Sequence, residues 1–87
     1  MTESHSNPPI PPGKYLQEKL DENKMTAVEL GQHMGYSVRV VRRIIAGKEP
    51  IDKKCANRLS EALGSSAEYW LNLEASYQRD LKLKGGA

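Results

Sequence analysis

Residues 26–47 read TAVELGQHMGYSVRVVRRIIAG, from Thr26 to Gly47. Thr26 and Glu29 stand three apart, the spacing of a capping box, in which each side chain satisfies a free amide at a helix start. Leu30 and Met34 then recur at helical spacing, and Gly35 suits the left-handed residue that ends a helix. Ser37 is placed to cap a third helix running to about Ala46, with Val41, Ile44 and Ile45 inward and Gly47 as its stop. That leaves Arg39, Arg42 and Arg43 on its polar side. Two short helices joined by a tight turn, the second carrying arginines, suit entry into a major groove. The duplex is a polyanion, and arginine also reads guanine edges.

The flanks extend the helical pattern. A first helix is expected from about Lys14 to Asn23, with Leu16 and Leu20 on one face. Asp52 caps a fourth, where Cys55 or Ala56, Leu59 and Leu63 repeat and Gly64 closes. Ser65 or Ser66 caps a fifth, with Trp70, Leu73, Tyr77 and Leu81 recurring along it. No segment alternates convincingly, so the expected class is all-α, with five helices. Residues 1–12 read as a flexible proline-rich arm, 13–83 as the helix-turn-helix domain with its C-terminal helix, and 84–87 as a frayed tail.

Eighty-seven residues make one small domain with a thin core and little room for an enclosed catalytic pocket. The formal net charge is only +2, but residues 38–54 hold Arg39, Arg42, Arg43, Lys48, Lys53 and Lys54 against Glu49 and Asp52. Such a local basic face points to a local anionic partner. The expected DNA-contacting set is Ser37, Val38, Arg39, Val40, Arg42, Arg43, Lys48, Lys53 and Lys54. Arg39 and Arg43 are candidates for base edges, Arg42 and the lysines for phosphates, and the two valines for thymine methyls. Ser37 suits a phosphate or simply its own helix cap, and one valine suits packing against the second helix.

Trp70, Leu71, Leu73 and Tyr77 carry more apolar area than one turn easily hides. Trp70 and Leu73 are expected largely in the core. Leu71 and Tyr77, together with Trp70, are the candidates for a homodimer face. The lone Cys55 excludes an internal disulfide and fits a cytoplasmic protein. No run is apolar enough to span a membrane. His5, His33 and Cys55 lack metal-ligand spacing, no catalytic triad can be assembled, and no cofactor is expected. An enzyme is not the reading.

The motif with Glu29-Leu30-Gly31, Gly35 and Gly47 resembles the Cro/repressor-like (XRE) helix-turn-helix family. The opening Ile10-Pro-Pro-Gly-Lys-Tyr-Leu-Gln-Glu-Lys-Leu20 and the stretch Ala62-Leu-Gly-Ser-Ser-Ala-Glu-Tyr-Trp-Leu-Asn-Leu-Glu-Ala-Ser-Tyr77 look like HigA-type antitoxins. The likeness covers about Ile10 to Tyr77, and its Trp-Leu-Asn-Leu segment is the specific part. The resemblance implies a type II antitoxin that silences a RelE-like mRNA endoribonuclease toxin. It also implies a dimer that represses its own operon on double-stranded operator DNA. The chain departs from the family at Ala27, where a glutamine often touches a phosphate, at Ala46, where a polar residue is common, and at Val38 and Val40. Two other readings stay open: a stand-alone repressor, of phage origin for example, and a protein-binding antitoxin without DNA binding.

Overall fold

The computed structural model describes residues 9–86, with side chains to residue 83. Its helices are α1 (Pro12–Glu22), α2 (Ala27–Met34), α3 (Val38–Ile45), α4 (Lys53–Leu63) and α5 (Ala67–Gly86), and no strand forms among the described residues. The all-α class therefore stands.

The caps lie where side-chain chemistry dictates. Thr26 and Glu29 form the complete box: the Glu29 amide donates to Thr26 Oγ1 at 3.1 Å, and the Thr26 amide donates to Glu29 Oε1 at 2.9 Å. Asp52 accepts from the Cys55 amide at 2.8 Å, and Ser66 rather than Ser65 accepts from the Tyr69 amide at 3.1 Å. Gly35 adopts φ 76°, a left-handed conformation costly for other residues, and the Tyr36 amide then donates back to the Gly31 carbonyl at 2.9 Å. That closure sets the sharp reversal between α2 and α3.

The core is one cluster: Leu16 and Leu20 from α1, Leu30 and Met34 from α2, Val41 and Ile44 from α3, Ile51 from the connection, Cys55, Ala56 and Leu59 from α4, and Trp70 from α5. α2 packs on α3 and α4, α1 on α3 and α5, and α4 on α5. α3 is thus braced from behind by two helices. Among the described residues Glu74 is the buried charged exception. It accepts from the Ile51 amide at 3.0 Å and from Gln78 Nε2 at 2.6 Å, which ties α5 to the connection before α4.

Both ends differ from expectation. α1 begins at Pro12, two residues earlier than the periodicity predicts, because proline's fixed φ suits a first helical position whose amide would be orphaned anyway. Pro12 is buried, so it belongs to the domain and not to the arm. Residues 1–8 of the expected arm, His5 among them, lie outside the described residues. At the other end residues 84–86, expected to fray, continue α5. Each added residue gains a backbone bond once a helix is anchored. Ala87 lies outside the described residues.

Candidate nucleic-acid interface

The exposed basic face of α3 follows from helical periodicity. Val41 and Ile44 are buried with 0% and 3% exposure, and Ile45 is half-buried against the same core. Arg39, Arg42 and Arg43 are left exposed on the other side. With Val38, Ala46 and Lys48 they line one shallow surface depression. The patch holds four cations and no acid, as a surface for a polyanion requires.

The remaining expected contacts divide. Ser37 Oγ accepts from the Val40 amide at 3.2 Å, so its capping role is filled. Val38 lines the depression beside the arginines. Val40 is half-buried and packs against the core, so it is the valine that supports the helix. Lys48 joins the arginines, but Lys53 and Lys54 do not line that depression. They line a second one with Asn57, Arg58 and Glu61 on α4.

Arg58 is a cation that the sequence pattern does not single out. It stands four residues after Lys54, on the same stripe of α4, and that spacing is the one signal that points to it. Its Nη1 reaches to 3.9 Å from where a Cβ on Gly35 would sit, so a cation lies against the turn between α2 and α3. Tyr36, in that turn, is half-buried and packs against the core cluster that includes Cys55. Burial chiefly, then Cys55 and Asp52, hold its hydroxyl above the usual range, while Arg58 pulls the other way. Burial also pushes the Cys55 thiol up to about 11, with the Asp52 carboxylate adding to it. This thiol is packed and protonated, not a reactive group.

One arginine is already engaged. Arg43 Nε donates to Glu49 Oε1 at 3.2 Å, and the pair is an exposed ion bridge between α3 and the loop that follows it.

Of the dimer candidates, Trp70 is corrected. Its side chain is 0% exposed, wedged into the core where α4 meets α5, and it has no surface to offer a second copy. Leu71 and Leu73 are both half-buried against the core, so the expected contrast between them is absent. Tyr77 is half-buried in a cleft with Pro12, Ile44, Gly47 and Leu81. Leu81 and Leu83 are 40% and 71% exposed on the far half of α5. Among the described residues no His, Cys, Asp and Glu side chains gather in a group able to hold a metal ion, and no helix is long and apolar enough to cross a membrane.

No family model matches the chain. The uncharacterized HTH-type transcriptional regulator YddM of Escherichia coli (strain K12) is 33% identical over 66 residues, spanning 76% of this chain and 70% of that protein. An addiction module antidote protein of the HigA family from Coxiella burnetii superposes with a TM-score of 0.84 at 35% identity, over 91% of this chain and 87% of that one. The antitoxin HigA of Pseudomonas aeruginosa, solved with the higBA promoter, gives a TM-score of 0.81 at 29% identity, over 90% and 87% of the two chains. A five-helix fold with a capped, arginine-bearing α3, matched in sequence and shape across nearly its whole described length, places this chain in the HigA-type branch of the Cro/repressor-like helix-turn-helix family.

Proposed function

We propose that this chain is the antitoxin of a type II toxin–antitoxin module. It represses its own operon by binding double-stranded operator DNA as a homodimer, and it neutralises a RelE-like mRNA endoribonuclease. The observation that carries the DNA half is the acid-free patch of Arg39, Arg42, Arg43 and Lys48 around Val38 on a helix braced by α1 and α2. The HigA relative solved with promoter DNA supports the same reading. Arg39, in the first turn of α3, meets base edges, and Arg42 and Lys48 meet phosphates. Ser37, Val38, Arg43 and, from α4, Lys53 and Lys54 complete the contacting set. Two copies present two α3 helices to successive major grooves about 34 Å apart, so the operator is a partial palindrome. Leu71 and Tyr77 remain the proposed dimer contacts.

The test is binding of the purified chain to the DNA upstream of its own reading frame, as a salt series beside an Arg39→Ala/Arg43→Ala variant. A steep salt slope with sequence preference lost in the variant supports the repressor. Binding indifferent to both arginines sinks it. The toxin half is tested by co-expression with the neighbouring small reading frame: the chain should restore growth and co-purify with its product. A second reading, a protein-only antitoxin, is favoured by Ala27, which packs against the core at the start of α2 where a phosphate-touching side chain would be useful. It requires rescue of growth to survive the double arginine variant with no DNA binding in the wild type.

A further inference from the structure

Arg43 and Glu49 are six residues apart, across the end of α3 and the glycine that follows it. A local helical pairing cannot join them. Gly47 at φ 79° reverses the chain, the Lys48 amide donates back to the Arg43 carbonyl at 2.9 Å, and Glu49 is thereby returned to the side of α3 it has just left. Its carboxylate takes one donor, Nε, at 3.2 Å.

Which donor it takes matters. A guanidinium has five donors in a planar fork. Holding Nε leaves the outer Nη1 and Nη2 edge, which suits an end-on bidentate contact to guanine O6 and N7. A flexible arginine at a DNA surface also has a competing use, since its rotamers reach phosphate oxygens. Glu49 does not line the depression that Arg43 shares with Arg39, Arg42 and Lys48, and its half-exposed carboxylate is a negative charge at the edge of that basic patch. Near a polyanion that carboxylate lowers affinity for every duplex alike, while the tether fixes one arginine's direction.

We propose that Glu49 is a specificity-determining positioning residue. By holding Nε of Arg43 it commits the outer edge of that guanidinium to a base and keeps it off the phosphates. The proposal rests on α3 being the DNA-reading helix. It assigns to Glu49 no contact of its own with DNA.

The experiment uses the full chain, its upstream operator duplex and a scrambled duplex of equal length and composition. Wild type, Glu49→Ala, Glu49→Gln, Arg43→Ala and the Arg43→Ala/Glu49→Ala double variant are titrated in a salt series. The operator is then changed one base pair at a time. Glu49→Ala should bind the scrambled duplex several-fold tighter and lose about ten-fold in operator-to-scrambled ratio, the size of one bidentate base contact. Its salt slope should steepen by about 0.9 per protomer as Arg43 moves to a phosphate. Its relaxed discrimination should fall at the same base pair that Arg43→Ala relaxes, which a merely structural role would not produce. Glu49→Gln keeps an oxygen for Nε and should retain most of the ratio. The double variant should discriminate no worse than Arg43→Ala alone. An unchanged ratio in Glu49→Ala, with wild type preferring its operator, overturns the role of Glu49 and leaves the repressor intact. Relaxation at a different base pair does the same. A wild type that binds both duplexes equally overturns the repressor reading, and this one with it.

Discussion

Replacing Gly13 by alanine probes how α1 is seated against the helix that carries the basic patch. Gly13 is buried at the second position of α1, beneath the end of α3. A methyl built there lies 2.5 Å from the carbonyl carbon of Ile45, and nearer still to the carbonyl oxygens of Ile44 and Ile45. Ordinary contact begins at 3.4 Å and the two oxygens are closer than that carbon, so the two backbones must part by more than the 0.9 Å that the carbon alone requires. Neither neighbour is a flexible side-chain tip, so the strain falls on the helix pair itself. Overpacking of this kind costs about 1–3 kcal/mol. Alanine returns up to about 1 kcal/mol through helix propensity and a less mobile unfolded chain. Because backbone and not a side-chain tip must move, the cost lies toward ~3 kcal/mol, and the balance is a loss of about 2 kcal/mol. At ~4–8 °C per kcal/mol for a domain this small, the melting temperature should drop by about 8–16 °C. The assay is a circular dichroism melt of both proteins at matched concentration, since an oligomer's midpoint depends on concentration. A midpoint equal to or above wild type would refute the reasoning, because the close approach of α1 to the α3 carbonyls would then not be a constraint.

Other consequences follow from particular side chains. Arg42→Ala and Lys48→Ala should each weaken operator and scrambled duplexes alike, read by fluorescence anisotropy. Each should also reduce the salt slope by about 0.9 for every phosphate left without its cation. Glu74→Leu strands the Ile51 amide that the carboxylate accepts from, and should cost about 1–3 kcal/mol in urea denaturation. Glu74→Gln keeps an acceptor there and should cost less. Cys55 carries a pH signature. Its thiol holds its proton to about 11 in the folded chain against an ordinary 9.0, so above pH 9 only the unfolded chain releases it. Stability present below pH 9 therefore falls as pH rises from 9 to 11, and Cys55→Ala should flatten that part of the fall in a urea-midpoint series.

Local chemistry made most of the helical layout legible. Thr26 with Glu29, Ser37 and Asp52 are short-range acceptors that satisfy amides three residues away, and Gly35, Gly47 and Gly64 adopt the positive φ that stops or reverses the chain. The exposure of Arg39 and Arg42 was equally determined, since a period of about 3.6 residues that buries Val41 and Ile44 must turn those positions outward. Membership of the HigA-type branch was readable from motifs on both flanks, and the likeness to solved antitoxins bears it out. Tertiary packing alone decided what depends on residues far apart or across a reversal. It paired Arg43 with Glu49 over a left-handed glycine, set Arg58 of α4 against the turn at Gly35, and sank Glu74 onto an amide 23 residues away. It also enclosed Trp70 completely, where an amphipathic pattern left its exposure open, and divided the lysines between two surfaces. Periodicity fixes which way a side chain leaves its own helix. Which neighbour it then meets depends on how the helices cross, and that is settled by the fit of the whole core.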